Sequence, residues 1–136
     1  MAKKQTKLQE YLSRPLPSFN RGDADCCAWC AEWANIVIGE PVLKFPRITF
    51  GEVVRRLRAR SLADHASDWL APLGWTPIST DAPAEGAIII IKHELALGGQ
   101  VLAIYSDGTA IARTESTALL VVVSPTITHA WSHPSL

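Results

Sequence analysis

Three cysteines, Cys26, Cys27 and Cys30, lie within five residues and are the only cysteines in the chain. Asp25 directly precedes them, and Asp is a favourable N-cap for a helix. A thiol at the N-terminus of a helix lies at the positive end of the helix dipole, which favours the nucleophilic thiolate. Cys26 therefore has a position that favours a reactive thiol, and a nucleophilic thiol also needs a general base, usually His, within hydrogen-bonding reach of its sulfur.

The same three residues are candidate metal ligands. On a helix, Cys30 is a neighbour of both Cys26 and Cys27, and three thiolates suit zinc or an iron–sulfur cluster, with His129, His133 or a cysteine of a partner as fourth ligand. Against this, Cys26 and Cys27 point about 100° apart on a regular helix. The commonest role of free cysteines is that of small buried hydrophobes, and the sequence favours that role over the other two. Such close clustering also argues against a disulfide framework.

The helix that carries these cysteines is predicted from Asp25 to Ile38, with Gly39 ending it. Its apolar residues recur at three- and four-residue spacing, which predicts a buried stripe. The stripe consists of Cys26, Trp29, Cys30, Trp33 and Val37. Three further helices are predicted, over Lys7–Ser13, over Phe50–Arg60, and from Ser61 to near Gly74.

After Gly74 the pattern changes from helical to extended. The segment Thr76–Glu85 reads as a loop, and the β-branched run Ala87–Ile91 predicts a central strand. The pair Asp107-Gly108 is a strong hairpin signal between two further strands. The predicted strands that follow the central one are Val101–Tyr105, Thr109–Arg113 and Leu119–Val123. Helices followed by a meander of strands predict an α+β domain, with N-terminal helices packed on a C-terminal antiparallel β-sheet.

Composition restricts the classes of function. A chain of 136 residues with 48% hydrophobic and 19% charged residues is one domain long and folds. Its thirteen basic and thirteen acidic residues give no net charge, which argues against nucleic acid as a partner. Residues 1–60 nevertheless carry a net charge of +5 and residues 61–136 one of −5. This segregation suits a subunit that docks by complementary surfaces, or two halves that neutralise each other.

Neither a membrane span nor a secretion signal is predicted. The longest uninterrupted apolar run, Ala87–Ile91, is only long enough for a strand, and the basic start is not followed by a signal-peptide core. We therefore expect the protein to stay in the cytosol where it is made, or to leave by assembly or lysis. Trp75, after Gly74, is a candidate anchor at a protein interface.

The order of these features resembles the NlpC-like, papain-like cysteine hydrolase superfamily, and more narrowly a phage-encoded branch of it whose function is unknown. The likeness extends from Leu8 to Trp131. It rests on the Leu-rich first helix, Asp25-Cys26-Cys27, the Trp-bearing helix after it, Gly39, the helix Val53-Val54-Arg55-Arg56-Leu57, Ala82-Pro83 before Gly86, and Ala130-Trp131.

The resemblance implies that Cys26 is the nucleophile of a cysteine hydrolase and faces a His at the start of a strand, in a pattern like His-Val-Gly-Ile-Tyr. The matching stretch here, from Gly99 to Tyr105, contains no His. His93 is the least unsuitable replacement as a base. The family also commonly has Asp after the Gly that opens the central strand, where this chain has Ala87.

These observations predict a single papain-like domain over residues 1–136, with an N-terminal helix and Pro-rich connection at 1–17, a helical half at 25–74 and a sheet half at 86–124. The resemblance and the missing His imply a structural or assembly component of a bacteriophage tail tip, built on a papain-like fold that has lost hydrolase activity. We expect it to be made in the host cytoplasm and located in the virion tail. Its expected partners are other tail proteins, either a hub or a distal tail protein. We expect no cofactor, no nucleic-acid partner and no insertion into a membrane. Two alternatives remain open. One is an active peptidase or amidase that cleaves peptidoglycan with Cys26 and His93, and the other is a tail component that binds zinc or an iron–sulfur cluster through Cys26, Cys27 and Cys30.

Overall fold

The computed structural model describes residues 6–16, 26–39, 55–56, 58–94, 99–113 and 119–136. Its helices are α1 (Lys7–Leu12), α2 (Cys26–Ile38) and α3 (Leu62–Leu70), the last followed by a 3₁₀ turn at Ala71–Leu73. Residues 55–56 and 58–59 are also helical, and the rest of the helix predicted over Phe50–Arg60 lies outside the described residues, apart from Arg60. None of the described helices is long and apolar enough to cross a membrane.

Local capping explains where two of the helices begin. Thr6 and Gln9 form a reciprocal capping box at the start of α1. At α3, the Ser61 side chain accepts a hydrogen bond from the Asp64 amide at 3.1 Å. Gly39 then ends α2 in the left-handed region at φ +83°, as its place in the sequence predicts.

Six strands form one antiparallel sheet in the order β1-β6-β2-β3-β4-β5. The strands are β1 (Thr76–Pro77), β2 (Ile88–Lys92), β3 (Gln100–Ser106), β4 (Thr109–Arg113), β5 (Leu119–Val123) and β6 (Ile127–Ser132). This arrangement confirms the α+β class, the antiparallel sheet and the central place of β2. The hairpin is also confirmed, because Asp107 and Gly108 have φ values of 49° and 75°.

Two strands are missing from the sequence-based prediction. The short strand β1 lies within Thr76–Glu85, which the sequence predicts as a loop, and β6 follows no clear apolar alternation. The strand β6 forms because it pairs with β2 in the middle of the sheet, through a register that shifts between Ile90 and Ile91. Long-range pairing of this kind leaves little local signal.

The sheet has two differently filled faces. The helix face, on which the helices pack, presents large side chains: Ile88, Ile90, Leu102, Ile104 and Trp131. The alanine face, on the other side, presents Ala87, Ile89, Ile91, Val101, Ala103, Ala110, Ala112 and Ala130. All of these side chains are buried, although none of the three helices contributes a residue to the apolar cluster on the alanine face.

Candidate functional site

The helix α2 packs on strands β3 and β4 at the helix face of the sheet. Trp29, Cys30 and Trp33 are buried there in one cluster with Leu102 and Ile104. This burial confirms the apolar stripe predicted for the helix, apart from Cys26, whose side chain lies outside the described residues. The predicted stripe is therefore the side of α2 that packs against the sheet.

A hydrogen bond fixes α2 to the beginning of β2. The Trp33 indole N–H donates to the Gly86 carbonyl at 2.8 Å, and both groups are buried. Gly86 has φ +83°, and a Cβ at this position would lie 3.2 Å from the Trp33 ring. Glycine is required here because its backbone conformation and the approach of the Trp33 ring both disfavour a side chain.

The helix α1 packs against α2 through Tyr11. The buried Tyr11 hydroxyl donates to the Trp29 carbonyl, and the Tyr11 ring lies 5.3 Å from the Trp29 ring and 5.6 Å from that of Trp33. Burial raises the pKa of Tyr11 well above its usual value, and the negative charge of Glu32 acts in the same direction. Arg14 also forms an exposed ion pair with Glu32 at 3.2 Å.

The described cysteines differ in exposure. Cys30 is completely buried in the apolar cluster, and Cys27 is half-buried at its margin. Both positions agree with the role of small packing residues. Within the described part of the chain, no three His, Cys, Asp or Glu side chains come together as a metal site. The Cys26 side chain lies outside the described residues. This observation therefore does not test the prediction that the three cysteines bind a metal.

The proposed base His93 comes directly after β2. Its amide donates to the Gly99 carbonyl at 3.0 Å, which continues the ladder between β2 and β3 beyond the pair Lys92 and Gln100. Side chains alternate along a strand, and Ile91 lies on the alanine face. The same alternation directs His93 to the side of the sheet opposite α2.

The other histidines each have a local contact. His65 Nε2 lies 3.0 Å from the Arg56 carbonyl oxygen. His129 is exposed on β6, with its ring stacked on Trp131 at 6.1 Å. His133 Nδ1 accepts from the Ser135 amide at 3.0 Å. His129 and His133, the two candidate fourth ligands, lie on β6 and just after it. The cysteine-bearing helix α2 packs on other strands, β3 and β4.

Alternation also identifies the residue that takes the helix-face position at the start of β3. Leu102 and Ile104 belong to the helix face, and Val101 and Ala103 to the alanine face. Gln100 is therefore directed to the side of α2, where it is half-buried. Its amide is not basic and cannot act as a general base. Sequence reasoning identified this stretch but not which residue of it faces the helix.

A further polar contact was missed in the sequence. The Glu85 carboxylate accepts hydrogen bonds from the Ser106 hydroxyl at 3.0 Å and from the Asp107 amide. Glu85 thereby joins the turn before β2 to the hairpin between β3 and β4. Because the two segments are 21 residues apart, only the folded sheet brings them together.

The prediction that Trp75 anchors a protein interface is wrong. Trp75 is only 1% exposed and belongs to the cluster on the helix face. The His133 ring lies against it, with the two centroids 5.5 Å apart. The 3₁₀ turn and Gly74 direct the chain back toward the sheet, so the indole packs inside the domain rather than in solvent.

Comparisons of this chain with protein-family models, with curated proteins and with solved structures found no match. The likeness to the NlpC-like superfamily therefore rests on the sequence motifs alone. The structure adds a cysteine-bearing helix packed on an antiparallel sheet, and Gln100 at the helix-face position where β3 begins.

Proposed function

We propose that this protein is a structural or assembly component of a bacteriophage tail tip, built on a papain-like fold that has lost hydrolase activity. The observation that carries the loss of activity is Gln100. It has the helix-face position at the start of β3, whereas the His of the motif aligns with the neighbouring Val101 on the alanine face, so neither residue supplies a base. An amide there cannot take the proton from a cysteine thiol.

The position of His93 supports the same proposal. Strand alternation directs it to the alanine face, whereas a base must lie within hydrogen-bonding reach of the nucleophile. The burial of Cys30 and the packing of Cys27 indicate that these two residues serve the core. The proposed role in a tail tip rests on the sequence resemblance and on the segregated charge of the two halves of the chain.

The chemical part of the proposal is tested by iodoacetamide labelling of the folded protein at a series of pH values, with each cysteine followed by peptide mass spectrometry. We expect Cys26 to label slowly at pH values well below about 8.5, the pKa of an unperturbed thiol. Cys30 is the internal control and should label only after denaturation, because it is fully buried. Rapid labelling of Cys26 well below that pH, together with peptidoglycan cleavage that Cys26→Ser abolishes, would establish the active hydrolase instead.

The assembly part is tested in the phage or prophage that encodes the protein. We expect deletion of the gene to abolish tail formation, whereas Cys26→Ser leaves the yield of infectious particles unchanged. Mass spectrometry of purified tails and of tail-assembly intermediates then shows whether the chain is a virion component or an assembly factor. Normal tails in the deletion strain would contradict the proposal.

A further inference from the structure

The two edges of the sheet are built differently. At one edge, β1 is two residues long and contains Pro77, which has no amide hydrogen to donate. At the other edge, β5 is the five-residue strand Leu119–Val123, which contains no charged residue and no proline. Natural proteins protect sheet edges with short strands, prolines and charges. The edge at β1 has such protection, and the strand β5 itself has none.

Hydrogen bonds at the start of β2 establish which backbone groups point toward β5. The Tyr105 carbonyl accepts from the Gly86 amide at 2.9 Å, and the Tyr105 amide donates to the Ala87 carbonyl at 2.9 Å. Both backbone groups of Tyr105 are thus directed toward β2. Its partner on β4 is Ala110, whose backbone groups must point the other way, toward Val122 on β5.

The direction alternates from residue to residue along an antiparallel strand. Since Val122 points its backbone groups at β4, Leu119, Val121 and Val123 direct theirs away from β4, toward the edge of the sheet. The side chains of Val121 and Val123 are also the most exposed large hydrophobic residues of the described chain, at 56% and 74%. Outward backbone groups and exposed apolar side chains therefore coincide in the same residues.

We propose that β5 pairs antiparallel with β5 of a second copy of this chain, about a two-fold axis at Val121, to form a continuous twelve-stranded sheet. In this register Val121 is opposite Val121 of the other copy, and Leu119 is opposite its Val123. All the residues with outward backbone groups then face one another. No charge within the strand is brought against its own symmetry mate, so the pairing has no electrostatic cost.

The protected edge at β1 argues for a second copy rather than an open-ended assembly. A sheet that could pair at both edges would continue as a fibre, whereas one free edge closes at two copies. A single strand of five residues from each copy is a small interface, so we expect weak association, with a dissociation constant of about 10 µM to about 1 mM. The inference does not depend on the proposed loss of hydrolase activity or on the tail.

The first test is sedimentation velocity of the full chain across that concentration range. We expect a monomer–dimer equilibrium with no larger species. Val121→Lys should raise the dissociation constant at least tenfold, because it brings two positive charges together at the axis. Thr76→Lys, at the exposed β1 edge, is the matched control and should leave the constant unchanged. If Val121→Lys does not fold, Val123→Lys replaces it as the test variant, because it places the charge at the more exposed end of the strand.

The second test is amide hydrogen exchange by NMR at low and high protein concentration. We expect Leu119, Val121 and Val123 to gain protection as the concentration rises. Leu120 and Val122 should be protected throughout, because they bond to β4. A monomer at all concentrations, growth beyond a dimer, or a dimer that the charged β5 variants do not weaken would overturn the proposal. Protection of β5 that requires another protein would show a strand from a different partner instead.

Discussion

The two faces of the sheet are both buried, yet they are filled in opposite ways. On the helix face, Trp29, Trp33 and Tyr11 from the helices are buried in one cluster with Leu and Ile from the strands. On the alanine face, five of the eight buried residues are alanine. The two faces are thus equally buried, but side chains of different size fill them. We expect the helix face to be most sensitive to removal of atoms, and the alanine face to their addition.

The largest effect is expected for Trp33→Ala on the helix face. The substitution empties a site between α2 and β2 and removes the hydrogen bond to the Gly86 carbonyl. Unfolding in urea should show a loss of about 3–5 kcal/mol. Trp33→Phe keeps a ring but not the donor and should cost less. An equal cost for the two variants would mean that the hydrogen bond, rather than packing, dominates.

A smaller effect, from the opposite kind of change, is expected for Ala103→Leu on the alanine face. Ala103 is completely buried, so three added carbon atoms must displace neighbours, at a cost of about 1–3 kcal/mol. Ala82→Leu makes the same change at an exposed loop position and should alter the free energy of unfolding by less than about 0.5 kcal/mol. A neutral Ala103→Leu would show that the alanine face has free space, which would remove the contrast between the faces.

Tyr11→Phe tests the polar atom buried at the helix face. It removes the donor to the Trp29 carbonyl and should cost about 1 kcal/mol at neutral pH. In the wild type, burial raises the pKa of Tyr11, while an unfolded Tyr ionises near pH 10. The wild-type advantage is therefore complete below about pH 10 and decreases above it, by about 1.4 kcal/mol at pH 11. Urea unfolding of both proteins from pH 8 to pH 11 measures the difference, and parallel pH profiles would contradict a buried hydroxyl.

The smallest effect is expected for Glu85→Gln, which lies outside both faces. The amide keeps one acceptor for the Ser106 hydroxyl and the Asp107 amide but loses the charge. Because Glu85 is exposed, water replaces part of the interaction, and the cost should stay below about 1 kcal/mol. Thermal unfolding at low and high salt is the measurement. A loss as large as that of Trp33→Ala would mean that the turn, and not the buried faces, controls stability.

Local signals in the sequence predicted much of the fold. The stripe of Trp29, Cys30 and Trp33 requires a buried helix, and Asp107-Gly108 requires a tight turn, because each pattern acts through neighbours within a few residues. The strand β6 had no such signal, since its pairing with β2 joins residues about 40 positions apart. Trp75 was a candidate interface anchor for the same reason, because its burial depends on the strands that it packs against.

The candidate site shows the same division. The sequence resemblance made Cys26 the candidate nucleophile, and the residue types showed that the stretch from Gly99 to Tyr105 lacks a His. Both conclusions follow from the identity of the side chains, which does not depend on the fold. The direction of Gln100 toward the helix face, and of His93 away from it, depends on strand register, and a shift of one residue would reverse both. Register is decided by pairing across the sheet, which is why the folded structure was needed to separate the two.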